Sequence, residues 1–245
     1  MQSDATQRQM DLLEKEDWRY HAIGPGGTGL VMIATSERPS KLSKKVQSFA
    51  LPSAPALFLN LAINARRRRL AIDLDAIFVT HPAPQGIWPE EHAQLFDYFQ
   101  EFSAEIMFSF TAIEAFANES VPTDFSYKST SARKSEIVLT GPEIERSISL
   151  DEKLKSVLPM AHSMRTPSGT SSYKDYVALK RVRDRLVHLK SVDRKASGPE
   201  NQTIWGLMLA EKTRNFPLIA HSMMEAYPKL VKDRRWFQKA KLLLG

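Results

Sequence analysis

The chain has 245 residues, of which 25% are charged and 42% hydrophobic, a composition typical of a globular protein with one sizeable core. It contains no cysteine, which excludes disulfides, thiolate nucleophiles and cysteine-ligated metal centres. No apolar run is long enough to span a membrane, and the polar N-terminus is unlike a signal peptide, so we expect a cytoplasmic protein. A formal net charge of +6 favours a polyanionic partner.

Residues 1–86 are predicted to form an N-terminal extension with a small β-hairpin. The segments 18–23 and 30–35 are strand-like and flank the glycine-rich segment 24–29, whose spacing is G-x-G-x-x-G. A dinucleotide-binding turn of this spacing opens a helix, whereas here a strand-like run follows, and no kinase catalytic elements occur later. A hairpin loop is therefore favoured over a nucleotide site.

The same extension contains four consecutive arginines, Arg66 to Arg69, in a helix predicted over residues 56–76 after a basic connector at 39–55. Four residues span a full helical turn, so these side chains cannot all face one ligand. Some must be solvated, and one or two could bind phosphate. The proline-rich segment 81–86 then breaks the chain.

Residues 87–245 are predicted to form a helical bundle. A long helix over 89–120 carries a phenylalanine-rich stripe, in which Glu114 lies either at the edge or in a groove. A polar loop over 121–148, with a brief strand at 135–140, precedes a helix at 150–164 that Pro159 should distort. Pro217 should distort or divide a helix over 203–227, and a basic helix over 229–243 ends the chain.

The most informative helix is predicted over residues 173–195, with Ser171 or Ser172 as its N-cap. Its apolar residues recur at steps of three and four, which indicates one buried face. Asp184 and His188 are one turn apart, so the carboxylate could hydrogen-bond the imidazole. Arg183 lies about 140° around the helix from His188, within reach of the same groove. In an alternative interpretation the helix is simply solvated, with Asp184 paired to Lys180 or Arg181.

The sequence Arg-Asp-x-x-x-His at residues 183–188 resembles the HEPN superfamily, whose signature is an arginine followed four to six residues later by a histidine. Residues 111–118, Thr-Ala-Ile-Glu-Ala-Phe-Ala-Asn, also resemble the first bundle helix of that family. The order of the helices is similar too. The resemblance implies a mainly α protein, with an antiparallel four-helix bundle in residues 87–245 and the extension in residues 1–86.

The resemblance further implies a metal-independent endoribonuclease that acts as a homodimer and uses no cofactor. His188 would transfer protons, Arg183 would hold the scissile phosphate, and Asp184 would orient one of them. The 2′-hydroxyl of RNA would attack, leaving a 2′,3′-cyclic phosphate. HEPN ribonucleases commonly act as toxins or antiviral effectors, so a neutralising antitoxin or regulatory protein is a further expected partner.

Local charge agrees with an RNA partner. Residues 174–195 contain eight Lys or Arg and three Asp, a net charge of +5. We expect RNA phosphates to contact the cations nearest the motif, namely Lys180, Arg181, Arg185 and Lys190.

Two further functions remain open from the sequence. Many HEPN modules keep the bundle but serve as non-catalytic nucleotide-binding, RNA-binding or dimerisation units. A sequence-tolerant nucleic-acid binder would instead use Arg66 to Arg69 and the helix at 229–241.

Overall fold

The computed structural model describes residues 17–19, 31–34, 47–80, 92–130, 136–194 and 202–244. Within these ranges the protein is mainly helical, as the sequence predicts, with small antiparallel sheets of two strands each. None of the described helices combines the length and the apolar character that crossing a bilayer requires.

The described elements follow one another in this order: β1 (Val31–Ala34), β2 (Gln47–Ala50), α1 (Ala54–Leu70), α2 (Leu74–Thr80), α3 (His92–Glu119), β3 (Ser126–Thr130), β4 (Glu136–Thr140), α4 (Gly141–Ser147), α5 (Leu150–Glu152), a π-helical turn (Lys153–Val157), α6 (Leu158–Ala161), α7 (Ser171–Val187), a 3₁₀ turn (Ser191–Arg194), α8 (Ile204–Ala210), α9 (Phe216–Glu225), α10 (Pro228–Val231) and α11 (Arg235–Leu244).

Helix α3 is the centre of the core. Helix α1 packs along it, α7 and α9 contact both α3 and each other, and α11 packs on α1 and α9. The phenylalanine-rich stripe predicted for this helix is confirmed, because its central residues are fully or almost fully buried: Phe102, Ile106, Phe110, Ile113 and Phe116. Glu114 is exposed on the outer side of the same helix.

Helix α1 lies in the sequence before residue 87, yet its Leu59 and Ile63 belong to the same core as α3. The helical run after Ser149 also contributes buried residues to that core, including Leu154 and Val157. The boundary between an extension and a bundle at residue 86 stays a prediction, since residues 81–91 lie outside the described ranges.

Strand β1 of the N-terminal sheet pairs with a segment that the sequence did not predict as a strand. It is antiparallel to β2, with Val31 opposite Ala50 and Ala34 opposite Gln47. The predicted pairing of residues 30–35 with residues 18–23 stays a prediction, because residues 20–30 lie outside the described ranges. Arg19 accepts a hydrogen bond of 2.9 Å from the backbone N–H of Ser53, which places residues 17–19 beside the start of α1. The glycine-rich segment 24–29 lies outside the described residues.

The polar segment 121–148 is more ordered than predicted. The expected strand near residue 136 is confirmed as β4, which pairs with β3, and α4 follows it directly. The helix starts at Gly141, where a Cβ would lie only 2.9 Å from the carbonyl oxygen of Pro122. Only glycine permits that approach, so this position fixes the hairpin against the end of α3.

The prolines act as predicted. A π-helical turn lies immediately before Pro159, because the proline ring displaces the carbonyl of the preceding turn and offers no N–H. Pro217 lies in the first turn of α9, which separates α9 from α8, and the Asn215 side chain caps the new helix at Leu218 N–H (3.1 Å). The single terminal helix predicted over 229–243 is wrong, since α10 and α11 are distinct.

Candidate functional site

The proposed site lies at the C-terminal end of α7. Its buried face is formed by Tyr173, Tyr176, Leu179 and Val182. The apolar periodicity predicted the last three of these, but it also predicted Leu189, which is 50% exposed. The N-cap is Thr170 rather than either serine, because its Oγ accepts the Tyr173 N–H at 3.3 Å.

Helix α7 ends earlier than predicted. It stops at Val187, and His188 is the C-cap with φ −111° and ψ 71°, which is outside the helical region. The predicted continuation to residue 195 is therefore wrong, and a 3₁₀ turn occupies residues 191–194.

The side chain of Asp193 explains this early end. Its carboxylate accepts the backbone N–H of Lys190 at 2.6 Å, the backbone N–H of Ile204 at 2.7 Å and the guanidinium of Arg185 at 2.7 Å. Burial opposes its ionisation, yet the two backbone N–H groups and Arg185 lower the pKa of Asp193 overall. The carboxylate thus joins the end of α7 to the start of α8, which a continued helix could not allow.

A groove of about 760 Å³ runs along this end of α7. Six of the seven predicted site residues line it, together with Val177 and Leu207: Lys180, Arg181, Asp184, Arg185, His188 and Lys190. Arg183 is the predicted site residue that is not part of this lining.

Arg183 faces α3. Its guanidinium carbon lies 3.6 Å from the centroid of the Phe110 ring, and Nη1 is 2.9 Å from Asp184 Oδ1. The side chain keeps 22% of its surface exposed, while its Nε is buried without a hydrogen-bond partner among the described residues. The arginine therefore meets the groove only at its edge, through Asp184.

The expected hydrogen bond between the Asp184 carboxylate and the His188 imidazole is not formed. The backbone N–H of His188 still donates to the Asp184 carbonyl at 2.9 Å, and both side chains line the groove, but the Asp184 carboxylate pairs with Arg183 instead. The side chain of His188 is exposed in the groove, with no hydrogen-bond partner among the described residues. The alternative pairing of Asp184 with Lys180 or Arg181 is not formed either, since Lys180 pairs with Asp151.

The four predicted RNA-binding cations differ in how far they are engaged. Lys180 forms an ion pair with Asp151, and Arg185 binds both Asp193 and the carbonyl of Gln202. Arg181 and Lys190 are exposed and form no ion pair within the part of the chain that the structure describes. These last two are the cations that remain available to a polyanion.

The arginine run on α1 is largely committed to the fold. Arg69 is 1% exposed and donates to Glu105 (2.7 Å) and to Tyr98 Oη (3.1 Å). Arg66 also reaches Glu105, at 3.2 Å. Only Arg67 and Arg68 lie on the surface, and Arg68 pairs with Glu101.

Sequence reasoning missed Phe110, Asp151 and Asp193 as determinants of this site. Phe110 was counted only as a core residue, and its place one turn from Glu114 on the stripe gave no indication of a cation above it. The two aspartates act across loops, on partners that periodicity cannot identify. Within the described ranges, no three His, Asp or Glu side chains are close enough together to form a metal-binding cluster.

A scan of protein-family models and searches of curated proteins and of solved structures found no match to this chain.

Proposed function

We propose that this protein is a metal-independent endoribonuclease of HEPN type that acts as a homodimer. The observation that supports the proposal most is the exposed imidazole of His188, unpartnered among the described residues, in a groove with two available cations, Arg181 and Lys190. A proton-transfer group beside free positive charge suits phosphodiester chemistry.

RNA brings its own nucleophile, so the proposed reaction needs only proton transfer and phosphate binding, to which each chain contributes one histidine and one arginine. The 2′-oxygen loses its proton and attacks phosphorus, the bond from phosphorus to the 5′-oxygen breaks, and that oxygen takes up a proton. In this scheme His188 exchanges protons, Arg183 binds a non-bridging phosphate oxygen, and Asp184 holds Arg183. The products carry a 2′,3′-cyclic phosphate and a 5′-hydroxyl.

A second copy of the chain would supply the other proton-transfer group. Three exposed apolar side chains in α7 and just after it support such a contact, because a partner would remove them from water: Val177, Val187 and Leu189 are 46%, 47% and 50% exposed. Sedimentation at micromolar concentration should show a dimer, and a monomer that cleaves RNA at full rate would contradict this part of the proposal.

The decisive experiment is RNA cleavage in excess EDTA. His188→Ala should lose at least about 100-fold in rate, the low end for removing an acid–base group. His162→Ala is the matched control, because that histidine binds the Ser120 carbonyl (2.7 Å) outside the groove and should leave the rate unchanged. Cleavage that EDTA abolishes, or that survives His188→Ala, would refute the mechanism.

A non-catalytic RNA-binding or nucleotide-binding module is the second candidate. The observation that favours it is the commitment of Arg183 to Phe110 and Asp184, and of Arg185 to Asp193, which leaves fewer groups for catalysis. RNA binding without cleavage, unaffected by His188→Ala, would select this candidate.

The cellular role we propose is that of a toxin or antiviral effector that a neutralising protein holds inactive. Expression of the wild-type chain alone should then arrest bacterial growth, whereas His188→Ala should not. Equal growth with both chains, each confirmed to be present by immunoblot, would contradict a toxin role.

A further inference from the structure

Arg183 is the end of a continuous stack of aromatic rings and cations. Its guanidinium lies on Phe110, and the Phe110 ring is stacked on Tyr176 with centroids 6.2 Å apart and an interplanar angle of 18°. Tyr176 packs on Tyr173 at 5.5 Å, and Lys155 Nζ lies 5.2 Å from the Tyr173 centroid. The stack crosses from the π-helical turn through α7 to α3.

Hydrogen bonds at Asp151 hold this stack in place. The Tyr176 hydroxyl donates to Asp151 Oδ1 at 2.8 Å, and Lys180 pairs with the other oxygen of the same carboxylate. Burial, followed by Asp151, raises the pKa of Tyr176, so its hydroxyl stays a donor. The ring on which Phe110 rests therefore has a fixed orientation.

The Phe110 ring determines which parts of Arg183 remain open. The ring is 3% exposed and covers one face of the guanidinium, while Asp184 occupies Nη1. A cation held on a desolvated aromatic face loses the freedom of a long side chain and keeps its charge. The Nε–H is buried without a hydrogen-bond partner among the described residues, while 22% of the side chain remains exposed, so the donors left for a ligand are the Nη–H groups in the guanidinium plane that Asp184 does not occupy.

We propose that Phe110 is a positioning residue that holds the Arg183 guanidinium flat, so that its open edge binds a phosphate of the RNA. The inference rests on the proposed function for its ligand, and on the geometry of α3 and α7 for everything else. Phe110 itself does not touch RNA and acts only through Arg183.

The test is a double-mutant cycle read by RNA affinity and by cleavage rate. Phe110→Leu keeps an apolar side chain but removes the aromatic face, and it should weaken both about tenfold, the effect of losing a desolvated cation–π contact. In an Arg183→Ala background the same change should have no further effect. Phe110→Tyr keeps the aromatic face, so its RNA affinity and cleavage rate should stay close to those of the wild type.

The matched control is Phe116→Leu on the same helix. Phe116 is fully buried and packs on Tyr227 at 5.9 Å instead of on a cation, so it reports only the cost of a smaller core residue. It should lower the melting temperature as Phe110→Leu does, while RNA affinity stays unchanged. If Phe110→Leu does not fold, Phe110→Met provides the same test with a more adaptable side chain.

The outcomes separate this inference from the proposed function. If Phe110→Leu lowers RNA affinity equally with and without Arg183, Phe110 does not act by positioning Arg183. Cleavage by the wild type would still support a ribonuclease in that case. A wild type that binds RNA without cutting it would refute the ribonuclease, and affinity that depends on Phe110 only when Arg183 is present would still support positioning. A wild type that does not bind RNA would overturn both.

Discussion

Two arginine-bearing regions of this molecule look alike in sequence and differ in structure. On α1, Arg66 and Arg69 point inward and share the fully buried carboxylate of Glu105. On α7, Arg181 stays exposed in a groove, while Arg183 spreads its guanidinium on an aromatic ring. The longer run of positive charge is therefore the structural one, and the mixed, shorter motif is the one open to a ligand.

The difference lies in what each cation meets on α3. A buried arginine requires a carboxylate and further acceptors, and Glu105, Tyr98 and the Lys212 carbonyl supply them for Arg69. A partly exposed arginine needs less, so a single ring and one neighbouring aspartate suffice for Arg183. A charge cluster therefore indicates nucleic-acid binding only after its internal partners have been counted.

The largest expected effect is the loss of stability on breaking the ion pairs of Arg66 and Arg69 with Glu105. Glu105→Gln leaves Arg66 and Arg69 without their shared counter-charge and should lower the free energy of unfolding by about 3–5 kcal/mol, as breaking a buried pair does. Urea unfolding followed by circular dichroism measures it. Glu101→Gln is the control, because its partner Arg68 is exposed and the loss should stay below about 1 kcal/mol. Similar losses from both variants would remove the contrast between buried and surface pairs.

The salt dependence of RNA affinity should identify the groove cations that contact phosphate. If RNA lies in the groove, Arg181→Ala and Lys190→Ala should each reduce the slope of log affinity against log salt by about 0.7, the value for one single-strand phosphate contact. Arg67→Ala, an exposed arginine of α1, should leave the slope unchanged. A reduction at position 67 equal to that at position 181 would mean that RNA does not distinguish the two regions.

The start of α7 provides a smaller test. Thr170→Ala removes the N-cap and should cost about 1 kcal/mol in the free energy of unfolding, measured by urea titration. Ser171→Ala, at the position that sequence favoured, should change it by less than about 0.5 kcal/mol. A larger loss in the free energy of unfolding from Ser171→Ala than from Thr170→Ala would show that the helix begins one residue later than the structure places it.

The smallest effect concerns pH and a buried histidine on α9. His221 is 1% exposed and stacked on Phe237 at 3.9 Å, and burial lowers its pKa below the ordinary 6.5. The unfolded chain therefore takes up a proton before the folded one does. Stability should be complete above about pH 6.5 and should fall as the pH drops towards the folded pKa. His221→Gln should flatten the melting temperature between pH 7 and pH 5, measured by scanning calorimetry. An unchanged slope in that variant would assign the dependence to other groups.

The sequence predicted what depends on neighbours along the chain. Periodicity identified α3 and the buried face of α7, and Pro159 and Pro217 marked the distortions in the right places. The same reasoning failed at the end of α7, because the hydrogen bond that stops the helix joins Asp193 to Ile204, outside any local window. It also missed the partner of Arg69, which lies 36 residues away on another helix.

The seven predicted site residues illustrate the same limit. Helical spacing placed Lys180, Arg181, Asp184 and Arg185 on one face of α7. His188 and Lys190 reach the same groove from the segment after the helix ends. Spacing could not show that Arg183 would turn to Phe110, because that contact depends on how α3 packs across α7. Strand β2 was missed for a similar reason, since residues 47–50 were assigned to a basic connector and strand pairing depends on contacts outside a local window.

The buried carboxylate at position 193 has one more consequence. This one carboxylate joins Arg185, in the last turn of α7, to the backbone N–H of Ile204, the first residue of α8, so these two helix ends cannot separate without breaking both contacts. Separating these helix ends would leave the buried Asp193 carboxylate without its hydrogen-bond donors. If RNA occupies the groove as proposed, this end of the groove should change little on binding, so flexible single strands should bind better than stiff duplexes.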